Sequence, residues 1–279
     1  MRNTNDPEIT QIVEYVASRI ECKPEVALIL GSGLGSFADE VDSPLIISTD
    51  QVPGYPASTV PGHAGRLVIG RIEGIESIVI QGRVHYYEGY PISQVVIPVR
   101  LVAALGVKAL ILTNSAGGIN EQFQPGDLMA INDHVNLMGT NPLIGQTWGF
   151  DRFPDMSNAY NQTLTEALAR AALRKKIGLK SGVLGVFSGP TYETASEIRL
   201  LKLLGVSAAC MSTVPEVIAA ARLKLPVCGI SCITNMATGI SKSLLTHEEV
   251  TEVAGKVEST FKVLLREAVK EISLLEIEL

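Results

Sequence analysis

The sequence contains few cysteines and histidines, and none of them occurs at the spacing of a metal site. There are four residues of each type among the 279, with neither a CxxC pair nor an HExxH motif. Cys228 and Cys232 lie within an apolar run that resembles a buried strand. We therefore expect reduced, buried thiols, which are typical of the cytoplasm, and we expect no metal ion.

Apolar runs of membrane length are also missing. Arg100, Arg222 and Lys224 interrupt the most apolar windows, and the first ten residues, MRNTNDPEIT, contain no apolar stretch like that of a signal peptide. The sequence therefore predicts a soluble protein without a targeting segment or a membrane partner. The formal net charge of -6 argues against a nucleic-acid partner, and it requires that any anionic ligand be held by a few placed cations and backbone N–H groups.

Apolar residues are abundant, at 46% of the chain against 19% charged residues, which supports a large core. Apolar, β-rich runs alternate with segments of helical periodicity throughout the sequence. This alternation predicts an α/β fold, organised as a single domain over 1–279, in which helices flank both faces of a central mixed, largely parallel sheet. The predicted strands are 25–31, 66–72, 77–81, 108–113, 127–132, 182–188, 206–210 and 226–234, and the predicted helices are 7–21, 92–105, 161–176, 195–204, 214–224 and 247–273.

The first predicted strand runs into a glycine-rich segment, ALILGSGLGSFADEV at 27–41. A dinucleotide site requires GxGxxG followed by a full crossover helix, but the helical pattern here covers only about 37–41, which disfavours a dinucleotide oxidoreductase. Two interpretations remain open for the segment alone. It is either a turn without a ligand, or a loop whose N–H groups and Ser32 hydroxyl hold a single anion.

Three other predicted strands end in polar residues, at 113–118, 188–193 and 234–235. Because the carboxyl ends of strands in such sheets meet at one crevice, these ends predict a shared ligand site. Arg83 and His85 follow another predicted strand, and residues two apart in extended backbone face the same way, so both could hold one phosphate. Taken alone, a surface ion pair for Arg83 and a structural role for His85 are the simpler interpretation.

The segment MSTVPE predicts the start of a helix. Thr213 and Glu216 have the spacing of a capping box, and Pro215 lies in the first turn. A hydroxyl at this position usually caps the helix and does no more. It can equally help the helix N-terminus to bind an anion.

Ten short segments, in consistent order from about residue 25 to residue 257, resemble those of the trimeric purine nucleoside phosphorylases. They are GSGLG, HAGRL, GRVHYYEGYP, TNSAGG, DHVNLMGTNPL, DRFPDMS, GPTYET, MSTVPE, ITNMATG and THEEV. The resemblance implies reversible phosphorolysis of purine (2'-deoxy)ribonucleosides to free base and (deoxy)ribose 1-phosphate. It also implies a homotrimer, inorganic phosphate as co-substrate and no cofactor.

The same resemblance assigns roles to individual side chains. His85, Glu193 and Asn235 are the implied catalytic residues. The implied phosphate-binding residues are Ser32, His63, Arg83, His85, Ser115 through its backbone, and Ser212. The implied nucleoside-binding residues are Tyr87, Met211 and His247 at the sugar, Tyr192, Glu193 and Asn235 at the base, and Phe153 from a neighbouring subunit. Two positions differ from the commonest pattern of the family, since Ser115 replaces an alanine and Tyr192 a phenylalanine.

Two long segments rich in Gly and Pro, 50–65 and 139–160, predict lids, binding loops or contact surfaces. By resemblance, His63 lies on the first, a flexible loop over the phosphate. Phe153 lies on the second and is the aromatic residue that one subunit lends to the site of its neighbour.

The chemistry of the reaction fits these residue types. Departure of the base leaves positive charge on the sugar and negative charge on the base, and a bound phosphate stabilises the first while attacking, so no protein nucleophile is needed. Glu193 can accept N1–H of a 6-oxopurine, and Asn235 can donate to N7. Adenine presents an acceptor at N1, so we expect inosine and guanosine to be preferred.

Other functions remain open to the sequence. A 5'-methylthioadenosine phosphorylase has the same fold and chemistry, but its apolar 5' group does not match His247, which would bond a 5'-hydroxyl. A catalytically silent nucleoside-binding protein would bind inosine without phosphate-dependent turnover.

Overall fold

The computed structural model describes residues 7–60, 62–241 and 247–277, and nine strands within these ranges form one mixed sheet. They are β1 Val26–Leu30, β2 Asp42–Ser48, β3 Arg66–Ile72, β4 Ile75–Gln81, β5 Ala109–Gly118, β6 Leu128–Asn136, β7 Leu179–Val186, β8 Ala208–Cys210 and β9 Val227–Met236. The strand order is β2-β3-β4-β1-β5-β8-β7-β6-β9, and β5 also pairs with β9. The strands from β5 to β9 therefore close into a barrel, which β1, β4, β3 and β2 extend as an open sheet.

Helices cover both faces of this sheet. The helices in the described ranges are α1 Pro7–Ala17, α2 Ile92–Val95, α3 Ile97–Ala104, α4 Gln162–Lys175, α5 Ala195–Leu203, α6 Val214–Arg222 and α7 His247–Ser273. Residues of α1, α3 and α6 join one buried cluster, and residues of α4 and α7 join another. All five residues of β1 are buried, because a strand with both faces covered is apolar throughout. The predicted α/β fold is confirmed.

The edge strand β2 was not predicted. It pairs with β3 alone, and the pairing is irregular between Asp42 and Leu45. Ser43 has φ of 49°, and Leu45 and Ile46 are 39% and 49% exposed. Because an edge strand with exposed apolar side chains shows no alternation of burial, the sequence pattern gave no signal there.

The single helix predicted over 92–105 is two helices, α2 and α3, separated at Val96. Pro98 lies in the first turn of α3. Since proline has no N–H to donate to the residue four positions earlier, the chain restarts the helix at this point.

The strands β5 and β9 continue beyond their predicted ends at 113 and 234. Gly117 pairs with Ala209 of β8 and, in parallel register, with Asn235 of β9. Closure of the barrel supplies these partners, so glycines and polar residues that indicate a turn in the sequence remain in the strand.

Among the described residues, no helix is long and apolar enough to cross a bilayer. The four cysteines are free thiols.

Candidate active site

One cleft lies where β1, β5 and β9 end. Ten of the thirteen predicted site residues line it: Ser32, Arg83, His85, Tyr87, Ser115, Tyr192, Glu193, Met211, Ser212 and Asn235. The strand ends that the sequence indicated as one crevice therefore meet, as expected for this type of sheet.

The glycine-rich segment passes directly over β5. A Cβ at Gly31 would lie 2.7 Å from Cα of Asn114, and Gly33 has φ of +73° with its Cβ position 2.5 Å from Cβ of Ala254. Only a short 3-10 helix, Gly35–Glu40, follows. Because the chain passes from this short helix into β2, no full crossover helix follows the segment within the described residues, as the sequence predicted.

Arg83 is held by protein groups on all sides. Its Nη1 donates to Ser212 Oγ at 3.0 Å and Thr213 Oγ1 at 3.1 Å, and its Nη2 donates to the carbonyl oxygens of Thr113 at 2.7 Å and Ile29 at 3.3 Å. Its Nε lies 3.3 Å from Glu216 Oε1, and both side chains are 1% exposed. The guanidinium is therefore fixed in place before any ligand binds.

The capping box predicted from Thr213 and Glu216 is wrong. Thr213 has φ of 76°, and its hydroxyl makes no cap bond; it accepts instead from Arg83 at 3.1 Å and from Asn114 Nδ2 at 2.8 Å. Glu216 is turned into the protein as the counter-ion of Arg83. A buried guanidinium needs a carboxylate more than the helix needs a cap.

The hydroxyl of Ser212 is available to a ligand in the cleft. Thr213 Oγ1 already accepts two hydrogen bonds, so in its 3.4 Å contact with Ser212 Oγ it is the donor. Ser212 Oγ therefore accepts from both Arg83 and Thr213. Its own hydrogen can point into the cleft, where it can only donate.

Ser32 is arranged in the same way. The backbone N–H of Arg83 donates to Nδ1 of His63 at 3.0 Å, which assigns the proton of a neutral His63 to Nε2. That Nε2 lies 3.0 Å from Ser32 Oγ and donates to it. The Ser32 hydroxyl is thus a second donor for the cleft, and two such donors beside a buried arginine favour an anion.

His85 is oriented by Glu88. Its Nδ1 lies 2.8 Å from Glu88 Oε1, and Glu88 also accepts from the N–H and hydroxyl of Thr59, both at 2.6 Å. Burial alone would raise the pKa of Glu88, but hydrogen bonds from His85 and Thr59 outweigh it and lower the pKa to about 2. An ionised Glu88 keeps a proton on Nδ1, so Nε2 is the ring nitrogen left for a ligand.

The same cleft has groups that suit a purine base. Glu193 is buried, and burial raises the pKa of its carboxyl group. Asn235 accepts from the Thr234 hydroxyl at 3.0 Å through Oδ1, while its Nδ2 donates to the carbonyl of Met236 at 3.2 Å. The ring of Tyr87 stacks on His85 with 4.7 Å between centroids. Anion donors and base-type acceptors therefore lie in one cleft.

Comparison with known proteins identifies the family of the chain. The family model described as Phosphorylase superfamily matches residues 25–270. Purine nucleoside phosphorylase 1 of Bacillus subtilis (strain 168) is 47% identical over 266 residues, which cover 94% of this chain and 98% of that protein. The Bos taurus purine nucleoside phosphorylase is 44% identical over 255 residues, with 87% of each chain covered. The chain belongs to the purine nucleoside phosphorylase family.

Solved structures of purine nucleoside phosphorylases have the same fold. The Schistosoma mansoni enzyme in complex with inosine has a TM-score of 0.91 at 31% identity, with 99% of both chains covered. The complex of the enzyme with adenosine has a TM-score of 0.90 at 32% identity, with 96% of this chain and 98% of that chain covered. The expected family is confirmed, and the trimeric state stays a prediction.

Three residues predicted for a purine nucleoside phosphorylase site do not line the cleft as described. His63 contacts the residues that line it, through Ser32, the backbone N–H of Arg83 and an edge contact with His85 at 5.1 Å between centroids. Phe153 is 87% exposed and lines a different groove. The side chain of His247 lies outside the described residues.

Sequence reasoning missed the residues that hold the ligand-facing groups. Thr113, Asn114 and Thr234 lie in the polar strand ends that the sequence did indicate, but which of those side chains bond one another depends on pairing between strands. Glu216 was predicted to belong to a capping box, but it pairs with Arg83, which is 133 positions away in the sequence.

Proposed function

We propose that the protein catalyses the reversible phosphorolysis of 6-oxopurine (deoxy)ribonucleosides, such as inosine and guanosine, to free base and (deoxy)ribose 1-phosphate. It is then a pentosyltransferase. The observation that carries the proposal is the pair of hydroxyls, Ser32 and Ser212, each accepting from a basic side chain and each left to donate into the cleft.

Phosphate binds at the end of the cleft lined by these hydroxyls. Ser32 and Ser212 donate to its oxygens, the backbone N–H of Ser115 adds a third donor, and Arg83 supplies positive charge from behind. His85 offers Nε2, which donates when the ring is protonated and accepts a P–O–H proton when it is neutral. Although the chain has a net charge of -6, these donors and the buried arginine make this part of the cleft attractive to an anion.

The purine lies at the other end, beside Glu193 and Asn235. A 6-oxopurine donates N1–H to the Glu193 carboxylate, and Asn235 donates to N7 as negative charge develops on the departing base. Adenine has no hydrogen on N1, so its acceptor would face the carboxylate. Inosine and guanosine are therefore favoured over adenosine.

No protein nucleophile or cofactor takes part in this reaction. Phosphate is held beneath the anomeric carbon, where it stabilises the developing positive charge on the sugar and then forms the new bond. Tyr87 and Met211 bind the sugar between the two ends, and His247 bonds its 5'-hydroxyl.

The protein is also proposed to be a homotrimer. Phe153 is 87% exposed, and an aromatic ring so placed on a loop fits a role in the site of a neighbouring subunit. The enzyme is expected to act in the cytoplasm, as its free thiols suggest.

A second activity, 5'-methylthioadenosine phosphorolysis, deserves a direct test, since a Schistosoma mansoni relative forms a complex with adenosine. The enzyme is incubated with inosine, guanosine, adenosine or methylthioadenosine, with and without phosphate, and base release is followed by ultraviolet absorbance. Phosphate-dependent release from inosine and guanosine is the expected result. Release from methylthioadenosine alone would favour the second activity, and no release from any of them would refute the proposal.

A His247→Leu variant separates the two activities further. If His247 bonds the 5'-hydroxyl, the variant loses much more activity on inosine than on 5'-deoxyinosine. Equal losses on both nucleosides would contradict this assignment.

A further inference from the structure

Two hydroxyl groups of β5 fasten the glycine-rich segment. Thr113 Oγ1 accepts from the backbone N–H of Gly31 at 3.0 Å, and the Ser115 hydroxyl donates to the carbonyl oxygen of Ser32 at 2.8 Å. Thr113 and Ser115 are two positions apart on the strand, so both side chains face the same side. Successive residues of the segment are thereby bonded to successive residues on one face of the strand.

The segment and the strand are in backbone contact at this point. A Cβ at Gly31 would lie 2.7 Å from Cα of Asn114 and 2.8 Å from the carbonyl oxygen of Thr113. No side chain separates the backbone of the segment from the backbone of β5 there. The two hydroxyl bonds therefore fix the position of Ser32 relative to β5. The Ser115 bond acts on the peptide that follows Ser32, next to the residue whose hydroxyl faces the cleft.

We propose that Ser115 is a positioning residue for phosphate binding, and that its hydroxyl acts by holding the carbonyl of Ser32 so that the Ser32 hydroxyl stays in place in the cleft. The inference deepens the proposed function, and it rests on that function only in requiring that the cleft bind phosphate.

The Ser115 hydroxyl does not itself donate to phosphate. A serine hydroxyl has one hydrogen, and here it is committed to the carbonyl of Ser32 at 2.8 Å. The backbone N–H of Ser115 is the group proposed to bind the anion, and it is unchanged in an alanine variant. Replacement of Ser115 by alanine therefore removes the positioning bond and leaves every proposed phosphate donor in the protein.

The size of the effect follows from preorganisation. Without the bond, the segment spends part of its time with the Ser32 hydroxyl out of place, and the apparent affinity for phosphate falls in proportion to the fraction that is competent. The loss of one net hydrogen bond corresponds to a decrease of about threefold to tenfold. Neither the base end of the cleft nor the chemical step depends on this bond.

The test compares Ser115→Ala with the wild-type protein and with Ser231→Ala. Ser231 is a matched control, because it lies on the neighbouring strand β9, opposite Asn114, and its buried hydroxyl has no hydrogen-bond partner among the described residues. Binding of inorganic phosphate to the free protein is measured by titration calorimetry, and the KM values for phosphate and inosine are measured together with kcat.

For Ser115→Ala we expect the phosphate Kd and KM to rise about threefold to tenfold, while the inosine KM and kcat stay within about twofold of wild type. Ser231→Ala is expected to bind phosphate as the wild type does. Unchanged phosphate binding in Ser115→Ala would overturn the proposal, as would a parallel change in inosine KM and kcat or an equal effect of Ser231→Ala.

A double-mutant cycle distinguishes positioning from direct contact. In a Ser32→Ala background, Ser115→Ala should lose most of its effect on phosphate binding. An equal effect in both backgrounds would mean that the hydroxyl acts on phosphate directly, and the proposal would fall. It would also fall if the wild-type protein bound no phosphate. Weaker phosphate binding by Ser115→Ala, in a protein that never releases base, would sustain this inference and refute the proposed function.

Discussion

Arg83 and Ser212 are 129 positions apart in the sequence, and the guanidinium of the first donates to the hydroxyl of the second at 3.0 Å. This bond occupies the oxygen of Ser212 and leaves its hydrogen to point into the cleft. The arginine would thus act on an anionic ligand partly through the serine, which is placed to donate to it.

The first prediction concerns Ser212. Its replacement by alanine removes one donor to an anionic ligand, and hydrogen bonds to charged groups contribute about 1.5–3 kcal/mol. We expect the KM for phosphate to rise about tenfold to hundredfold, with a much smaller change in the KM for inosine. Initial rates at varied phosphate and saturating inosine measure this effect. A change confined to the inosine KM would assign Ser212 to the nucleoside instead.

The second prediction concerns the pH dependence of base recognition. Burial raises the pKa of Glu193 above its usual value of 4.5, and only the carboxylate form can accept N1–H. As the pH falls through this raised pKa, kcat/KM for inosine should decline at a higher pH than an ordinary glutamate would cause. Hydrogen bonds keep the pKa of Glu88 near 2, so Glu88 does not contribute to this decline.

A Glu193→Gln variant checks the assignment. At saturating phosphate, kcat/KM for inosine should no longer decline at low pH in the variant, if protonation of Glu193 causes that decline. The variant should also lose about tenfold or more in kcat/KM for inosine and discriminate less between inosine and adenosine. An unchanged ratio of the two activities would show that another group selects the base.

The third prediction concerns Phe153, which is 87% exposed. If a neighbouring subunit buries this ring against the nucleoside, Phe153→Ala should raise the inosine KM about tenfold and leave phosphate binding intact. Leu203→Ala is the control, since Leu203 is 85% exposed on α5 and is not assigned to any site. Sedimentation of the wild type gives the oligomeric state, and a fully active monomer would remove the basis of this prediction.

The fourth prediction concerns the buried pair of Arg83 and Glu216. Removing one charge from a buried pair leaves the other without compensation, so Glu216→Gln should lower the free energy of unfolding by about 3 kcal/mol, measured by urea denaturation. The matched control is Glu121→Gln. Glu121 pairs with Lys202 at the surface, where both side chains are more than half exposed, so its replacement should lower the free energy of unfolding much less. Similar decreases in the free energy of unfolding of both variants would mean that burial of the pair contributes little to the cost of breaking it.

The contrast between β1 and β2 explains how much of the fold could be predicted. VALIL of β1 is buried at every residue, so its composition alone indicated a strand covered on both faces. β2 has a proline at 44 and exposed side chains along most of its length. Its strand conformation depends on pairing with β3, and such long-range pairing leaves no periodic pattern in the sequence.

The candidate site divides in the same way. Ser32, Arg83, Ser212, Glu193 and Asn235 could be selected because their residue types and motifs suit phosphate and a purine, and the resemblance to a family fixed their roles as expectations. Thr213 and Glu216 were misread, since the spacing of a capping box also occurs where the tertiary structure uses both residues for another purpose.

The sequence by itself determined which segments are apolar enough to be buried strands and which polar groups stand at their ends, because burial and turn formation depend on nearby residues. Only the tertiary structure decided which hydrogens remain available to a ligand. That outcome depends on bonds between distant segments, such as those from Arg83 to Ser212 and from His63 to Ser32. A hydroxyl can donate to a ligand only when no protein acceptor takes its hydrogen, and the sequence does not show which acceptors lie nearby.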